Sequence, residues 1–375
     1  MKAMRRKSKR YVAAVCSICI ASCITIGTLI GLIGLAGNLK NRAYAQSFEP
    51  VPTRYEAPYQ DENGNWKMVA DGDFRILQIT DVHFGGGAFS ITQDKKTVYD
   101  IERLVRATQP DLIVSTGDMS FPFLYASGTA DNMAGHKLYG ELMQTLGVPW
   151  AVVLGNHDAE DLAIYDRKHV AEYYASCGGS IFQSGNVYGY GNYTLDIVRP
   201  DGSTLQKLIF MDSNSYMSDS HSIENYFVYD AIHEDQMDWY EQQVKGADGK
   251  SMLFFHIPLF EFDTAWELWK QTGDSDIVRY VGGERGEGVC HASYDNGFFD
   301  RIAALGHTQA IFCGHDHYNT AMVEYRGILL AYGMALDRIA YPGIGWKDSQ
   351  RGANLITVQA DGGYTVEQIA ASQVR

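Results

Sequence analysis

Short apolar runs alternate with segments of helical periodicity in the first half of the chain. The runs 74–80, 111–116 and 150–154 are bounded by polar residues, which predicts buried β-strands. The segments 93–108 and 134–147 place apolar residues at helical spacing, and Gly147 stands where the second helix should end. Such strand–helix alternation predicts an α/β sheet whose strands are connected by helices.

The pattern changes in the second half. "NYTLDIV" and "LQKLIFMDS" flank Asp201-Gly202, which is a hairpin signal. Further strands are predicted at 251–257 and 309–313, helices at 233–246 and 296–306, and two hairpins at the C-terminal end, whereas 261–296 has no single period. Together the elements predict one α/β-sandwich domain covering about residues 68–375.

The N-terminal segment differs from the rest in composition. Six of the first ten residues are Lys or Arg, and the apolar run from Tyr11 to Gly37 is long enough to cross a bilayer as a helix. Basic flanks stay in the cytoplasm, so the body should be extracytoplasmic. Ala43-Tyr44-Ala45 has the small-x-small form of a signal-peptidase site. Residues 1–45 are therefore either a retained membrane anchor or a long cleaved signal that releases a secreted protein, and 46–67 a linker or an edge segment.

Charge and cysteine content limit the possible functions. Removing the eight basic residues of 1–45 leaves 23 Lys and Arg against 45 Asp and Glu, a net charge of about −22. So acidic a body argues against a long nucleic-acid footprint, although a small phosphate ester held by metal ions remains compatible with it. Only Cys177, Cys290 and Cys313 lie outside the apolar run, which is not a disulfide scaffold; one pair is possible, and Cys313 is expected to be a small buried hydrophobe.

Five predicted strands run into side chains that can bind metal. Carboxyl ends of strands that share a sheet lie close together, and ligands bind there in α/β proteins. Oxygen and nitrogen donors suit Mn, Fe or Zn. The segments that follow the strands are Asp81-Val82-His83, Gly117-Asp118, Gly155-Asn156-His157-Asp158, His256 and Gly314-His315-Asp316-His317. We therefore expect these side chains to converge at one rim of the sandwich, with the glycines allowing sharp turns.

The number of donors indicates two ions. A catalytic site for one ion usually has three protein ligands and water. Seven donors fit a pair of divalent ions that share a carboxylate, an arrangement suited to in-line displacement at phosphorus.

The motif series D-x-H, G-D, G-N-H-D, H-x-P and G-H-D-H, in this order, resembles the calcineurin-like metallophosphoesterase superfamily over about residues 70–360. The segments "DQMDWY" and "GEGVCHASYDNGFF" are similar to the branch related to plant and fungal purple acid phosphatases. The resemblance implies a four-layer α/β/β/α sandwich of two mixed sheets flanked by helices, and hydrolysis of phosphate esters.

The resemblance also implies roles for individual residues. Asp81, His83 and His317 would hold one metal ion, Asn156, His256 and His315 a second, and Asp118 would bridge them. A hydroxide between the ions would attack phosphorus in line, and His157 would serve the leaving oxygen.

Two departures from better-known branches matter. "MSFPF" occupies the place of the tyrosine ligand of purple acid phosphatases and His83 is added, so we expect no purple colour. The further Asp and Arg of protein Ser/Thr phosphatases do not follow Gly117-Asp118. The Asp that partners the catalytic His in those enzymes is thus missing.

Several residues keep two interpretations. Asp158 and Asp316 either orient the neighbouring histidines or are solvent-facing turn residues. Arg285, with Glu287 nearby, could grip a phosphate, although we favour a solvated loop charge. The aromatic residues of 216–240 either line a pocket or pack a loop layer, which we favour: Tyr216, Tyr226, Phe227, Tyr229 and Trp239. The other histidines are taken as ordinary polar residues: His136, His169, His221, His233, His291 and His307.

The leading hypothesis is a membrane-anchored or secreted phosphomonoesterase with two divalent metal ions. A phosphodiesterase with the same core is the alternative, and a surface protein that binds metals without catalysis is the second. A nuclease acting on long polymers is disfavoured by the acidic body. Metal identity, natural substrate and oligomeric state are left open.

Overall fold

The computed structural model describes residues 2–217, 228–341, 343–344 and 350–374, and side chains from residue 11 onward. Its helices are α1 Lys2–Ala45, α2 Ile91–Thr108, α3 Asn132–Leu146, α4 Arg167–Ser176, α5 Glu234–Val244, α6 Glu261–Thr272 and α7 Phe298–Leu305. A short 3-10 helix spans His157–Ala159. The strands are β1 Tyr59–Gln60, β2 Trp66–Val69, β3 Phe74–Ile79, β4 Leu112–Thr116, β5 Trp150–Val153, β6 Tyr193–Val198, β7 Thr204–Phe210, β8 Lys250–Phe254, β9 Val278–Gly282, β10 Thr308–Cys313, β11 Met322–Tyr325, β12 Ile328–Tyr332, β13 Gly352–Val358 and β14 Tyr364–Ala370.

The strands form two mixed sheets. One has nine strands in the order β1-β2-β6-β7-β8-β10-β12-β11-β9, and the other has five in the order β14-β13-β3-β4-β5. β3, β4 and β5 are parallel neighbours in the smaller sheet, and β7, β8, β10 and β12 are parallel neighbours in the larger one. Antiparallel hairpins, such as β6–β7 and β13–β14, complete both sheets.

Alternating side chains on the central strands bury both faces of the larger sheet. Leu208, Phe254 and Phe312 belong to a core shared with the smaller sheet and with α2 and α3. Their sequence neighbours Ile209 and Phe255 belong to a second core formed with α5, α6 and α7. Because side chains of a strand alternate between faces, this pattern places helices outside each sheet and gives the predicted four-layer α/β/β/α sandwich.

Most elements predicted from the sequence pattern are confirmed within one to three residues at each end. The predicted end of α3 is confirmed at Gly147, whose φ of 74° closes the helix. The segment 261–296, which showed no single period, contains α6 and the edge strand β9. The segment 46–67 contains β1 and the start of β2 at the opposite edge of the same sheet. Cys177, Cys290 and Cys313 are all free thiols.

The two sheets are linked by buried polar side chains just below the strand ends. The Gln78 amide donates to the Cys313 carbonyl over 3.0 Å and to the Thr116 hydroxyl over 3.1 Å. Asn354 donates to the Gln78 side chain over 2.8 Å and to the Tyr332 carbonyl over 2.9 Å. Since buried amides are costly unless paired, these bonds fix the stacking of the sheets at this level.

From Tyr11 onward, helix α1 consists of an exposed stretch, Tyr11 to Ile33, and a stretch from Gly34 to Ala45 that packs on the body. We call them the bare part and the docked part. Within the described residues, Tyr11–Ala45 is the helix long and apolar enough to cross a membrane, judged by length and composition. The C-terminal part packs on α2 and α3, where Asn38 donates to the Ala134 carbonyl over 3.2 Å and Asn41 to the Ile91 carbonyl over 2.8 Å. Arg42 forms an ion pair with Glu141.

We predict that Gly34→Leu weakens this docking and that Gly31→Leu does not. A Cβ at Gly34 would lie 2.9 Å from the Ala88 amide nitrogen, whereas a Cβ at Gly31 meets nothing within 4 Å. Overpacking of this kind costs about 1–3 kcal/mol. The thermal midpoint of the detergent-solubilised full chain should fall for Gly34→Leu and stay within error for the matched control. Equal midpoints for both variants would contradict the docking.

Candidate metal centre

The seven predicted donors converge. Each of these side chains belongs to a residue no more than 8% exposed. Ligand atoms of Asp81, His83, Asp118 and His317 lie within 4.8 Å of one another, and those of Asp118, His256 and His315 form a second such group. The Asn156 amide oxygen is 3.1 Å from His256 Nε2, beside the second group. The structure therefore brings together all the residues that the strand ends predicted.

The strands that carry these donors do not all share a sheet, contrary to the reasoning from strand ends. β3, β4 and β5 belong to the five-stranded sheet, whereas β8 and β10 belong to the nine-stranded one. The stacking of two sheets brings the donors together, and the donors themselves join the sheets. His256 donates from Nδ1 to the Thr116 carbonyl over 2.8 Å, and the His315 amide donates to the Asp81 carboxylate over 3.1 Å.

Asp118 lies between the two groups. Its Oδ1 accepts a hydrogen bond from the His157 amide over 2.8 Å. Its Oδ2 lies 3.4 Å from His83 Nε2 and 3.1 Å from His256 Nε2. One carboxylate oxygen thus faces a histidine of each group, which is the geometry required of a shared ligand.

Backbone strain is concentrated at the donors. Asp81, His83, Asp118 and His315 have φ values of 49°, 51°, 58° and 78°. A non-glycine residue in this region costs on the order of 1–3 kcal/mol and persists only where its surroundings hold it. Amide hydrogen bonds hold two of these turns: Asp81 donates to the Gly117 carbonyl over 3.1 Å and His83 to the Asp118 carbonyl over 3.0 Å.

The glycines beside the donors serve two purposes. Gly117 has a φ of 91°, as expected for a sharp turn. Gly155 and Gly314 do not adopt positive φ and are required for space instead. A Cβ at Gly155 would lie 2.0 Å from Asp118 Oδ1, and one at Gly314 would lie 2.0 Å from Thr80 Oγ1.

The buried carboxylates can stay ionised only if positive charge lies beside them. Burial would raise the pKa of Asp118, but His256 and His157 lower it well below its ordinary value. Burial opposes charge on His256, yet Asp118 raises the pKa of that imidazole to about 9. In the described part of the chain, both ring nitrogens of His83, Nε2 of His315 and Oδ2 of Asp118 are buried without a hydrogen-bond partner. Orphaned donors around carboxylates fit bound cations, because such atoms are costly unless something pairs with them.

Asp337 is a site residue that the sequence analysis missed. Its Oδ2 lies 3.3 Å from His317 Nδ1, and its carboxylate accepts amide hydrogen bonds from Ile339 and Ala340 over 2.8 Å. A carboxylate on the far nitrogen of a histidine fixes the ring so that Nε2 faces the metal position. The sequence did contain a signal for this role. Asp337 is the first carboxylate after β12, and the end of β12 lies next to the end of β10, which carries His317.

Asp158 has a role that neither earlier interpretation described. It is fully buried and accepts amide hydrogen bonds from Asp118, Met119, Ser120 and Gly155 over 2.7–3.1 Å. These bonds hold the turn that presents Asp118. His136, expected to be an ordinary polar residue, is also buried; its Nε2 lies 2.9 Å from the Asp158 carbonyl and its Nδ1 lies 2.8 Å from the Tyr174 hydroxyl.

His157 has a carboxylate partner. Its Nδ1 is hydrogen-bonded to Glu160, one turn along the 3-10 helix, and Glu160 also accepts from the Tyr216 hydroxyl over 3.2 Å. The His157 ring lies 5.4 Å from that of His83 and packs against Phe121 and Phe123. The Asp of the protein phosphatases is absent here, and Glu160 supplies the carboxylate partner that the sequence analysis did not foresee; the spacing His-x-x-Glu was the missed signal.

Other residues with two interpretations lie as follows. Asp316 accepts from the Tyr332 hydroxyl over 2.6 Å and from the Cys290 amide over 3.1 Å, so it ties the segment before α7 to the strand ends; among the described residues its carboxylate bonds to no histidine. Arg285 is mostly buried and pairs with Asp263 and Glu267 of α6, so it is neither a solvated charge nor a phosphate grip. Glu287 accepts from the Tyr318 amide over 2.8 Å.

The aromatic residues divide between two roles. Tyr216 accepts a hydrogen bond from the Asn156 amide over 3.0 Å and stacks on Tyr229, whose ring contacts His315 edge-on at 4.5 Å. The favoured packing role is therefore wrong for these two residues, which lie at the site. Trp239 packs on the second core. Tyr226, Phe227 and His221 lie outside the described residues.

We predict that Asp158→Asn destabilises the fold strongly. In the variant, an NH2 group takes the place of one carboxylate oxygen and points its N–H groups at backbone N–H groups. The buried backbone amides then lose their acceptor, which costs about 1–3 kcal/mol for each group left unpaired. The exposed Asp248→Asn is the matched control. Chemical denaturation of both variants measures the difference; equal unfolding free energies would show that Asp158 does not hold the Asp118 turn.

Comparison with known proteins agrees with this geometry. The family model for the calcineurin-like phosphoesterases matches residues 74–319. A relative from Arabidopsis thaliana, "Probable inactive purple acid phosphatase 29", is 30% identical over 320 residues, covering 76% of this chain and 77% of the relative. "Phosphatase DCR2" of Saccharomyces cerevisiae is 28% identical over 273 residues, covering 66% of this chain and 45% of the relative.

A solved structure shares the fold. The crystal structure of a dimetal phosphatase from Danio rerio superposes with a TM-score of 0.53 at 13% identity, covering 80% of this chain and 97% of that one. The family match spans the five strand ends and their donors, from Asp81 to His317. The chain therefore belongs to the calcineurin-like phosphoesterase family, in the branch related to purple acid phosphatases, and is a metal-binding phosphoesterase.

Proposed function

We propose that this protein hydrolyses phosphate monoesters with two divalent metal ions. The observation that carries the proposal is the shared position of Asp118 between two groups of buried donors. Asp81, His83 and His317 would hold one ion, Asn156, His256 and His315 the other, and Asp118 both. When bound, the ions would supply Lewis acidity and lower the pKa of a water molecule.

The protein's own groups would position the ester and serve the leaving oxygen. His157 stands beside the donors, with one ring nitrogen held by Glu160 and the other available to the substrate. A proton held on that nitrogen would neutralise the departing alkoxide. Phe121 and Phe123 pack against the ring, which restricts its orientation and excludes water from one side.

Monoesters are favoured over diesters by the relatives, whose names describe phosphatases. The name of the Arabidopsis relative also includes "inactive". The support for activity in this chain is its complete set of donors together with the His157–Glu160 pair. Parallel assays with an aryl phosphate and a bis-aryl phosphate separate the monoesterase from the phosphodiesterase alternative. A stable, metal-loaded protein with no turnover on either ester would favour the non-catalytic alternative.

We predict that Asp118→Asn and His317→Ala each reduce turnover by about 10²-fold or more, since bound metal ions supply several kcal/mol of transition-state stabilisation. His307→Ala, outside the donor set, should retain full turnover. Elemental analysis should show less metal in both site variants, and chelation should abolish wild-type activity. Near-normal rates in both variants, with circular dichroism showing intact folds, would exclude this site.

We predict that Glu160→Gln slows poor leaving groups selectively. The loss of proton donation from His157 should reduce kcat by about tenfold or more for an alkyl phosphate, because general acid catalysis contributes about 10²–10⁴-fold where it is needed. An aryl phosphate whose leaving group needs no proton should be little affected. Metal content should be unchanged, and the exposed Glu172→Gln is the control. Equal loss for both esters would assign Glu160 a purely structural role.

A further inference from the structure

Helix α1 is structurally part of the catalytic domain at its C-terminal end. Ala45 is fully buried, and the side chains of Asn38 and Asn41 bond to the backbone of α3 and α2. Gly34 lies directly against the backbone of Gly87 and Ala88. Removal of the helix by cleavage after Ala45 would expose all these contacts, and the bond itself lies in a helix against the core. The docked part therefore favours retention of α1 over cleavage.

The bare part of α1 has the length of a membrane crossing. Residues from Tyr11 to Ile33 make almost no contact with the body, and contact begins at Gly34. At 1.5 Å per residue this stretch is about 34 Å long, close to the ~30 Å hydrocarbon core of a bilayer. If the bare part spans the membrane, no spacer separates the bilayer from the body, and the loops beside Gly34 meet the headgroup layer.

Those loops expose large apolar side chains. The apolar patch is defined by five residues that are 56–80% exposed: Phe89, Leu124, Tyr125, Leu162 and Ile164. Phe89 is the next residue after Gly87 and Ala88, whose backbone lies against Gly34. Its amide donates to the Ser127 carbonyl over 3.0 Å, and the Ile164 amide donates to the Ala130 carbonyl over 3.0 Å. The three loops therefore form one continuous surface beside the helix.

Two of these three loops differ in charge from the rest of the surface, whereas the third carries Asp161 beside Leu162. Residues 84–93 and 119–130 contain no Asp, Glu, Lys or Arg, although 20% of the chain is charged. A strongly acidic surface is unsuited to contact with phospholipid headgroups, many of which are anionic. An uncharged segment with exposed Phe, Leu and Tyr side chains is suited to the membrane interface, where such residues partition.

The apolar patch also borders the metal centre. Tyr125 packs against Phe123 at a ring distance of 5.7 Å, and Phe123 packs against His157 at 5.7 Å. Leu162 follows Glu160, the partner of His157, by two positions. The same loops thus reach from α1 to the side chains that would receive the leaving group.

We propose that α1 remains as an anchor and seats the apolar patch in the membrane interface, so that the metal centre opens at the lipid surface. The substrates would then be phosphate monoesters carried by lipids of the same membrane. This second statement rests on the proposed function, whereas the docking does not.

A quenching experiment on the full chain tests the docking. In a background where Cys16, Cys19, Cys23 and Cys290 are replaced by Ser, a fluorophore is attached to Leu124→Cys or Leu162→Cys. Ile277→Cys is the matched control, since Ile277 is 56% exposed and lies at the opposite end of the strands. In vesicles of brominated phosphatidylcholine, the two patch labels should be quenched at least about threefold more, because an apolar face in the interface sits roughly 5–10 Å into the headgroup boundary. Equal quenching at all three positions would overturn the docking.

An activity comparison tests the substrate class. The double variant Leu124→Ser/Leu162→Ser should hydrolyse phosphatidic acid in the same vesicles about tenfold more slowly, since two apolar side chains that hold the apolar patch in the interface are lost. Its rate on a soluble aryl phosphate should equal that of wild type. Parallel losses on both substrates, or unchanged rates on both, would overturn the lipid-substrate statement. Inactivity of wild type on both would count against the proposed function, while the quenching result would still decide the docking.

Discussion

The structure depends on the burial of charge where two sheets meet. Asp81 and Asp118 are within 1% of full burial, and four imidazoles surround them. An ionised carboxylate cannot remain in such a place unless positive charge compensates it. The same side chains also connect the sheets, through His256 to the Thr116 carbonyl and His315 to Asp81. Cations bound here would therefore stabilise the sandwich as well as equip it for catalysis.

Each group of donors combines residues from both sheets. The first group takes Asp81, His83 and Asp118 from the smaller sheet and His317 from the larger one. The second takes Asp118 from the smaller sheet and His256 and His315 from the larger one. Neither site can form until the sheets have stacked. Strained turns at the strand ends then set the donor directions, and the buried carboxylate of Asp158 holds three amide groups of the Asp118 turn in place.

The strand ends were predictable because their signal is local. An apolar run and a metal-binding side chain are adjacent in sequence at five strand ends, and at three of them, as in 310–317, a glycine stands between the two. Glu160 and Asp337 were not found, because each acts through a histidine that only the folded chain identifies as its partner. The assignment of strands to two sheets was likewise beyond the pattern, since periodicity shows that a strand is buried and not which neighbour it takes. Arg285 was misjudged because its partners on α6 lie in the segment without a clear period.

The acidic body raises the question of how an anionic ester reaches the site. Repulsion between exposed charges is screened beyond about 8 Å at physiological ionic strength. The charges close to the metal centre therefore determine how readily an anionic ester approaches it. Arginines that could have attracted phosphate are engaged elsewhere, Arg167 by Asp212 and Arg285 by Asp263 and Glu267. The loops 84–93 and 119–130 contribute neither attraction nor repulsion. Cations bound at the site would then be the main source of attraction for the ester, and the uncharged loops 84–93 and 119–130 would leave their field with little competition from surface carboxylates on that side. An entrance of this kind suits a substrate that is held near the site by its membrane more than one captured from solution by long-range charge.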